Sequence, residues 1–168
     1  MLRRCHYVFS SHWDREWYQS FQDFRARLVQ TLDDIFAGWR SGELAGPFVA
    51  DGQSVVAEDY LEIRPERRAE LAQRVAEGRL VLGPWYVMPD EFLVSGESLV
   101  RNLRLGRQVA RSFGGRPSDA GFVCDIFGHN SQLPQILAGF GIRMAFLWRG
   151  TNPLGVRHFI WRAAPDEM

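Results

Sequence analysis

Two hydrophobic patterns alternate along the chain. Short apolar runs bounded by polar residues are typical of buried strands, and longer segments with apolar residues at helical spacing are typical of amphipathic helices. The strand pattern occurs at residues 5–11, 47–52, 79–88, 119–125 and 143–150, with a sixth, weaker run at 157–165. The helix pattern occurs at residues 21–42, 65–78, 98–113 and 131–141, and residues 55–63 fit either a helix or a turn. Strand is therefore predicted to alternate with helix over most of the chain.

This alternation predicts the class of fold. Strands separated by helices form right-handed β-α-β units, whose strands pair in parallel. Gly42 and Gly78 fit the C-terminal ends of two predicted helices, and Pro65 fits the first turn of the second. No internal repeat, low-complexity segment or linker divides the 168 residues. We therefore expect a single α/β domain built on a parallel sheet.

Polar side chains cluster where the predicted strands end. The letters SHWD follow strand one, ADGQ ends strand two, MPDE follows strand three, CDIFGHN ends strand four and WRG ends strand five. Parallel sheets bind their ligands at the carboxyl ends of the strands. Chance alone could place polar residues in some of these turns. An acid, a histidine or an arginine at all five ends favours one composite site.

His12 and Asp14 have the chemistry of metal ligands. Residues two apart in an extended backbone point to the same side, so this imidazole and carboxylate could form half of a site for zinc or a similar divalent ion. Taken alone, the pair is explained more simply by a solvated turn or a hydrogen-bonded pair. Asp125 is the natural third ligand, because a carboxylate that ends an apolar strand is costly to bury without a partner. Its alternative role is to cap the following turn or helix.

The remaining histidines and acids near strand ends are assigned lesser roles. His129 lies beyond the fourth strand, just before a helix, so we expect it to support the loop or the ligands rather than to bind a metal. His6 lies inside the first predicted strand and is expected to be packed in the core. Asp90 and Glu91 either line the site or cap the next segment.

Composition narrows the classes of partner and compartment. Apolar residues make up 46% of the chain, charged residues 24%, and the net charge is zero, so bulk electrostatics favour neither nucleic acid nor a membrane. Aromatic residues reach 13%, with six tryptophans, which fits either a large core or a sugar-binding pocket. Cys5 and Cys124 are expected to be free thiols. The N-terminus carries no signal-peptide pattern, so the cytoplasm is the expected compartment.

Several blocks of the sequence together resemble a known family. The blocks SHWDREWY, DGQ followed by EDYLEI, GPWYVMPDE, SGESLVRNL, DIFGHNSQLPQIL and FLWRG occur in this order over residues 5–161. They resemble the N-terminal catalytic region of glycoside hydrolase family 38, the zinc-dependent retaining α-mannosidases. HWDREWY and GPWY are most similar to the bacterial members, which include mannosylglycerate hydrolases. The resemblance implies part of an irregular (β/α)7-type barrel, incomplete in this chain.

The resemblance also implies roles for individual residues. His12, Asp14 and Asp125 would bind one zinc ion, and Asp125 would also be the nucleophile that attacks the anomeric carbon. Trp17 would stack against the sugar, Phe127 would line the same pocket, and Arg149 would bond near the nucleophile and the substrate hydroxyls. Without the family pattern, Trp17 fits a core-facing residue equally well and Arg149 is better explained as a surface arginine.

Two components that the family implies are not found in the chain. A fourth zinc ligand and the general acid/base would both lie further downstream, so residues 1–168 are expected to be the truncated N-terminal portion of the catalytic domain. The expected function is hydrolysis of terminal α-mannosides by the intact enzyme. The alternatives are an inactive remnant that binds zinc or sugar, a mannosylglycerate-type hydrolase and, least favoured, a metal-dependent polysaccharide deacetylase. The partner is an α-mannoside, and the sequence does not decide whether the chain forms oligomers.

Overall fold

A computed structural model describes residues 6–151 and 158–163, and its elements alternate strand with helix. The strands are β1 (Phe9–Ser10), β2 (Phe48–Val49), β3 (Leu80–Val81), β4 (Ala120–Val123) and β5 (Met144–Leu147). The helices are α1 (Phe21–Ser41), α2 (Val55–Ile63), α3 (Arg68–Ala76), α4 (Gly96–Ser112) and α5 (Leu133–Gly139), with a 3-10 turn at Pro65–Arg67 before α3. The α/β class predicted from the sequence is confirmed.

The helices form close to their predicted positions because the sequence marks their ends. The side chain of Ser20 accepts a hydrogen bond from the backbone N–H of Asp23 and caps the first turn of α1. Gly42 follows α1 with a φ of 82°, in the left-handed region that glycine adopts without strain. Residues 55–63, which the pattern left open between helix and turn, form α2.

Every described strand pair is parallel, as predicted, but the strands belong to two sheets rather than one. Strand β2 lies between β1 and β3, while β4 and β5 pair separately with Phe122 opposite Phe146. The first three strands are only two residues long, far shorter than the apolar runs that predicted them. Residues 158–163 contain no strand, and the rest of the sixth predicted run lies outside the described residues.

Each sheet has its own hydrophobic cluster. The first cluster joins β1–β3 to α1, α2, α3 and the C-terminal half of α4, and the second joins β4 and β5 to the N-terminal half of α4 and to α5. Trp85 connects them, because it is fully buried in the second cluster after β3, and its indole N–H donates to the carbonyl of Phe122 in β4. The loops that follow β1–β3 are thereby held beside those that follow β4 and β5.

Two expectations for single residues have different outcomes. His6 was predicted to be packed within the first strand, but that prediction is wrong, because β1 begins only at Phe9 and His6 is exposed. Cys124 is buried and free as predicted, while Cys5 lies outside the described residues. Within the described ranges, none of the helices has the length and apolar character needed to cross a membrane.

Candidate active site

A cavity of about 410 Å³ opens where the strands end. Its walls come from both sheets, since the segment after β1 faces the segment after β4. The lining residues are His12, Trp13, Asp14, Arg15, Glu16, Gln53, Val87, Met88, Asp90, Asp125, Ile126 and Phe127. The segments after β1, β2, β3 and β4 therefore share one cavity, which the WRG segment after β5 does not line, and Asp90 lines it whereas Glu91 does not.

Three predicted ligands meet at one point of this cavity. His12 Nε2 lies 3.1 Å from Asp125 Oδ2 and 3.4 Å from Asp14 Oδ1. One ligand atom from each of the three residues lies within 4.8 Å of the others. An aromatic nitrogen and two carboxylate oxygens thus converge, although His12 and Asp125 are 113 positions apart in the chain.

Asp51 holds the ring of His12 from the other side. His12 Nδ1 lies 2.8 Å from Asp51 Oδ2, and the same oxygen accepts the backbone N–H of Trp13 at 2.8 Å. The side-chain amide of Gln53 also donates to this oxygen at 3.1 Å. A carboxylate accepts, so Nδ1 donates its proton to Asp51. The other ring nitrogen, Nε2, faces Asp14 and Asp125 and is the one that could bind a metal ion.

The sequence alone did not identify Asp51 as a residue of the site. The only signal was its place in ADGQ, one of the five polar strand ends. Asp51 is 2% exposed and has a φ of 49°, a left-handed backbone conformation that is uncommon for any residue but glycine. The turn directs the carboxylate of Asp51 toward His12 at the neighbouring strand end. The hydrophobic and polar pattern of the sequence does not indicate this direction.

A second buried carboxylate anchors the loop that carries His12 and Asp14. Asp59 in α2 is 4% exposed and receives two hydrogen bonds from the guanidinium of Arg15, at 2.7 and 2.8 Å. The amide of Gln53 also donates to the carbonyl of Trp13, at 2.8 Å. The loop after β1 is therefore fixed at Trp13, between the two predicted ligands, and at Arg15, just beyond them.

The charges around His12 determine its protonation. The pKa of His12 is raised from 6.5 to about 9, chiefly by its hydrogen bond to Asp51. Burial opposes this rise, and the negative charges of Asp51, Asp14 and Asp125 add to it. Without a cation the imidazole is protonated at neutral pH, so a bound metal ion would take the place of the Nε2 proton.

The two separations measured from His12 Nε2 fit zinc. Bonds of about 2.1 Å at tetrahedral angles place two ligands of one ion about 3.4 Å apart. The observed separations of 3.1 and 3.4 Å from His12 Nε2 agree with this value. One imidazole with two carboxylates is also a donor set that zinc accepts. The site is therefore compatible with a divalent ion held by these three side chains.

The predicted sugar-contacting residues are placed differently from one another. Phe127 lines the cavity and is 68% exposed, which leaves its ring free to meet a ligand. Trp17 is 74% exposed and packs edge-on against Tyr18, but it is not among the residues that line the cavity. The core-facing alternative for Trp17 is thus wrong, since most of its ring is open to solvent.

Arg149 lies beside the predicted nucleophile. Its Nε is 2.6 Å from Asp125 Oδ1, and its guanidinium lies over the ring of Phe127 at 5.4 Å from the ring centre. The contact with Asp125 is an ion pair rather than a hydrogen bond, because the N–H does not point at the oxygen. The expectation that Arg149 lies at the end of strand five, near Asp125, is met.

Comparisons with known proteins identify the family. The model of the family "Glycosyl hydrolases family 38 N-terminal domain" matches residues 3–168. A protein of Halalkalibacterium halodurans named "Putative mannosylglycerate hydrolase" is 43% identical over 92% of this chain and 17% of its own length. Alpha-mannosidase F of Dictyostelium discoideum is 26% identical over 98% of this chain and 18% of its own length. The chain belongs to glycosyl hydrolase family 38.

A solved structure shares the fold. The crystal structure of an alpha-mannosidase from Enterococcus faecalis V583 matches with a TM-score of 0.82 and 34% identity, over 88% of this chain and 16% of that chain. The chain thus spans about a sixth of the length of these relatives. Membership of family 38 removes the support for a polysaccharide deacetylase.

Proposed function

We propose that this chain supplies part of the active site of an enzyme that hydrolyses terminal α-mannosidic bonds with retention of configuration. The observation that carries the proposal is the convergence of His12 Nε2, Asp14 and Asp125 within one cavity. Membership of family 38 and relatives named as mannosidases support the class of substrate. The cytoplasmic location stays a prediction.

Asp125 is the proposed nucleophile. A retaining glycosidase needs a carboxylate that attacks the anomeric carbon and forms a glycosyl-enzyme ester, which water then hydrolyses. Asp125 lines the cavity, and its side chain is 20% exposed, so a sugar can reach it. Arg149 pairs with one carboxylate oxygen and places a positive charge beside the proposed nucleophile. We assign no general acid among the described residues.

The cofactor of the proposed reaction is zinc, held by His12, Asp14 and Asp125. When bound, zinc would supply a Lewis acid for neighbouring sugar hydroxyls and would favour the ionised form of Asp125. The chain's own residues bring the three donor atoms within 4.8 Å of one another, since Asp51 orients His12 and Arg15 anchors the loop. Phe127 in the cavity and Trp17, further along the loop after β1, offer exposed rings for the apolar face of a sugar.

Turnover of an aryl α-mannoside tests the proposal. The protein tested is one that contains this chain and is as long as its relatives. It should release the aryl group with net retention, and Asp125→Asn should lower the rate at least a thousandfold. The matched control is Asp119→Asn, because Asp119 is 48% exposed and pairs with Arg116 outside the cavity. Retained turnover in Asp125→Asn would exclude Asp125 as the nucleophile.

Mannosylglycerate is a second candidate substrate. The 43% identical relative named for its hydrolysis favours it. Comparison of kcat/KM for mannosylglycerate and for an aryl α-mannoside separates the two, since a dedicated hydrolase should prefer the former at least tenfold. The remaining alternative is a chain that binds zinc or sugar but does not hydrolyse mannosides. Measurements of zinc content and of hydrolysis on the purified 168-residue chain distinguish it from an active enzyme.

A further inference from the structure

A buried acid and histidine lie behind the cavity wall. Glu91 follows β3, His129 follows β4, and their side chains are 0% and 6% exposed. His129 Nδ1 lies 2.8 Å from Glu91 Oε1. The other oxygen of Glu91 accepts the backbone N–H of Asn130 at 2.9 Å and its side-chain amide at 3.1 Å. Neither Glu91 nor His129 belongs to the proposed ligand set.

The partners of His129 fix the protonation of its ring. His129 Nε2 lies 2.9 Å from the carbonyl oxygen of Arg149, and a carbonyl only accepts. Nε2 must therefore donate. Nδ1 faces Oε1 of Glu91, and a proton there as well makes the ring an imidazolium paired with the side chain of Glu91.

Electrostatics agree with this reading. Burial by itself would lower the pKa of His129, but the hydrogen bonds to Glu91 and to the Arg149 carbonyl outweigh it, and the pKa is raised. A buried charge is costly unless a partner compensates for the water that it has lost. In this pair, each side chain is the compensating partner of the other. The edge of Trp161 packs against the His129 ring, with 5.4 Å between the ring centres.

The pair reaches the cavity through the backbone of Arg149. The N–H of Arg149 donates to the carbonyl of Cys124 at 3.2 Å, while its carbonyl accepts from His129. The next residue, Gly150, approaches the other loop so closely that a Cβ there would lie 2.5 Å from the carbonyl oxygen of Ile126. The backbone around Arg149 is therefore held on both sides, and from this position the guanidinium meets Asp125.

We propose that Glu91 and His129 form a positioning pair, which holds the backbone of Arg149 so that its guanidinium stays against Asp125. The pair joins the loops after β3, β4 and β5 at a point that is closed to substrate. Its meaning for catalysis rests on the proposed role of Asp125 as nucleophile. The positioning itself depends only on the contacts of these four side chains and one backbone carbonyl.

Nuclear magnetic resonance of the 168-residue chain tests the proposal without turnover. The first measurement is the state of the His129 ring in the native chain at pH 7. We expect both ring nitrogens to carry a proton, with one-bond ¹⁵N–¹H couplings at each. A ring whose Nε2 carries no proton would overturn the proposal, because the carbonyl of Arg149 would then have no donor in His129.

The second measurement is the mobility of Arg149. In the native chain, we expect the backbone N–H of Arg149 to have an order parameter of about 0.85 and its Nε–H a value above about 0.6. In Glu91→Gln and His129→Gln both values should fall below about 0.6, because the carbonyl has lost its clamp. In Asp125→Asn only the Nε–H should become mobile, since the backbone contacts remain.

Matched controls separate positioning from a general loss of structure. Glu97→Gln and His158→Gln alter exposed side chains and should leave the Arg149 signals unchanged. Rigid Arg149 signals in both Glu91→Gln and His129→Gln would contradict the proposal. If those variants fail to fold, the His129 ring state in the native chain still decides. The proposed function has a separate test, because it would be contradicted by turnover in Asp125→Asn. The spectra do not measure turnover, so the two failures are distinguishable.

Discussion

His12 uses its two ring nitrogens for different purposes. Nδ1 is committed to Asp51 at 2.8 Å, and Nε2 faces Asp14 and Asp125. Asp51 thus fixes both the rotation of the ring and the nitrogen that can bind a metal. Carboxylates behind metal-binding histidines have this effect in many proteins, and their loss weakens metal binding by about 10–100-fold.

Asp51→Asn should therefore weaken zinc binding to the chain by about 10–100-fold, because an amide offers no charge and can present an N–H to the ring. Affinity is measured by competition with a chromophoric chelator at pH 7. The control is Asp33→Asn, which alters a carboxylate that accepts from the hydroxyl of Tyr60 and pairs with Arg64, away from the cavity. Equal affinities for Asp51→Asn and the native chain would show that His12 needs no support from Asp51.

The sequence predicted which residues meet, but not how they are held. His12, Asp14 and Asp125 could be brought together in advance because the carboxyl ends of parallel strands lie on one edge. The strands that carry them belong to two sheets, however, so their proximity also depends on the contact of Trp85 with Phe122. Their roles as ligands stay predictions. Asp51 could not be assigned, because its direction depends on a left-handed turn and its partner lies 39 positions away.

At the scale of elements, the predicted helices and the observed ones agree better than the strands do. Helix ends are set locally by residues such as Ser20 and Gly42. Strand ends depend on where a neighbouring strand stops pairing, which an apolar run does not encode. The run at residues 79–88 therefore gives only Leu80–Val81 as strand, and its later residues pack Trp85 and form the cavity wall instead.

Gly106 shows how closely a helix approaches that wall. A Cβ on Gly106 of α4 would lie 2.1 Å from the backbone carbon of Trp85. Gly106→Ala should destabilise the chain by about 1–3 kcal/mol, because backbone cannot yield as a side chain does. Gly139→Ala in α5 is the matched control, since no atom lies within 4 Å of its Cβ position, and it should be neutral or stabilising by up to about 1 kcal/mol. Urea unfolding of both variants measures the difference, and equal midpoints would contradict the close packing.

At the scale of the whole molecule, the cavity lies across two sheets that have separate cores. His12 and Gln53 come from the first sheet, and Asp125 comes from the second. The sheets are joined by the indole of Trp85 and by the Glu91–His129 pair rather than by strand pairing. Ion pairs that cross between the sheets, such as His12 with Asp125, help to hold the sheets together. The protonation of His12 therefore affects the free energy of unfolding of the chain.

This link predicts how stability depends on pH in the metal-free chain. The folded pKa of His12, about 9, is above its ordinary value of 6.5, so folding favours the protonated ring. The resulting stabilisation is complete below pH 6.5 and is lost as the pH rises to about 9. His129, whose pKa is also raised, acts in the same direction. Cys124 acts in the same direction near the upper end of this window, because burial raises its pKa from the ordinary value of 9.0 to about 12 and the unfolded thiol begins to ionise there.

Urea unfolding with a metal chelator present, at several pH values between 6.5 and 9, measures this dependence. The free energy of unfolding should fall across the window, with His12 contributing at most about 1.4 kcal/mol per pH unit. His12→Asn should flatten the slope because the titrating ring is gone, whereas His158→Asn, at an exposed position, should leave the slope as it is in the native chain. A slope that His12→Asn does not change would mean that the charges around His12 contribute nothing to folding. The ring would then be held for metal binding alone.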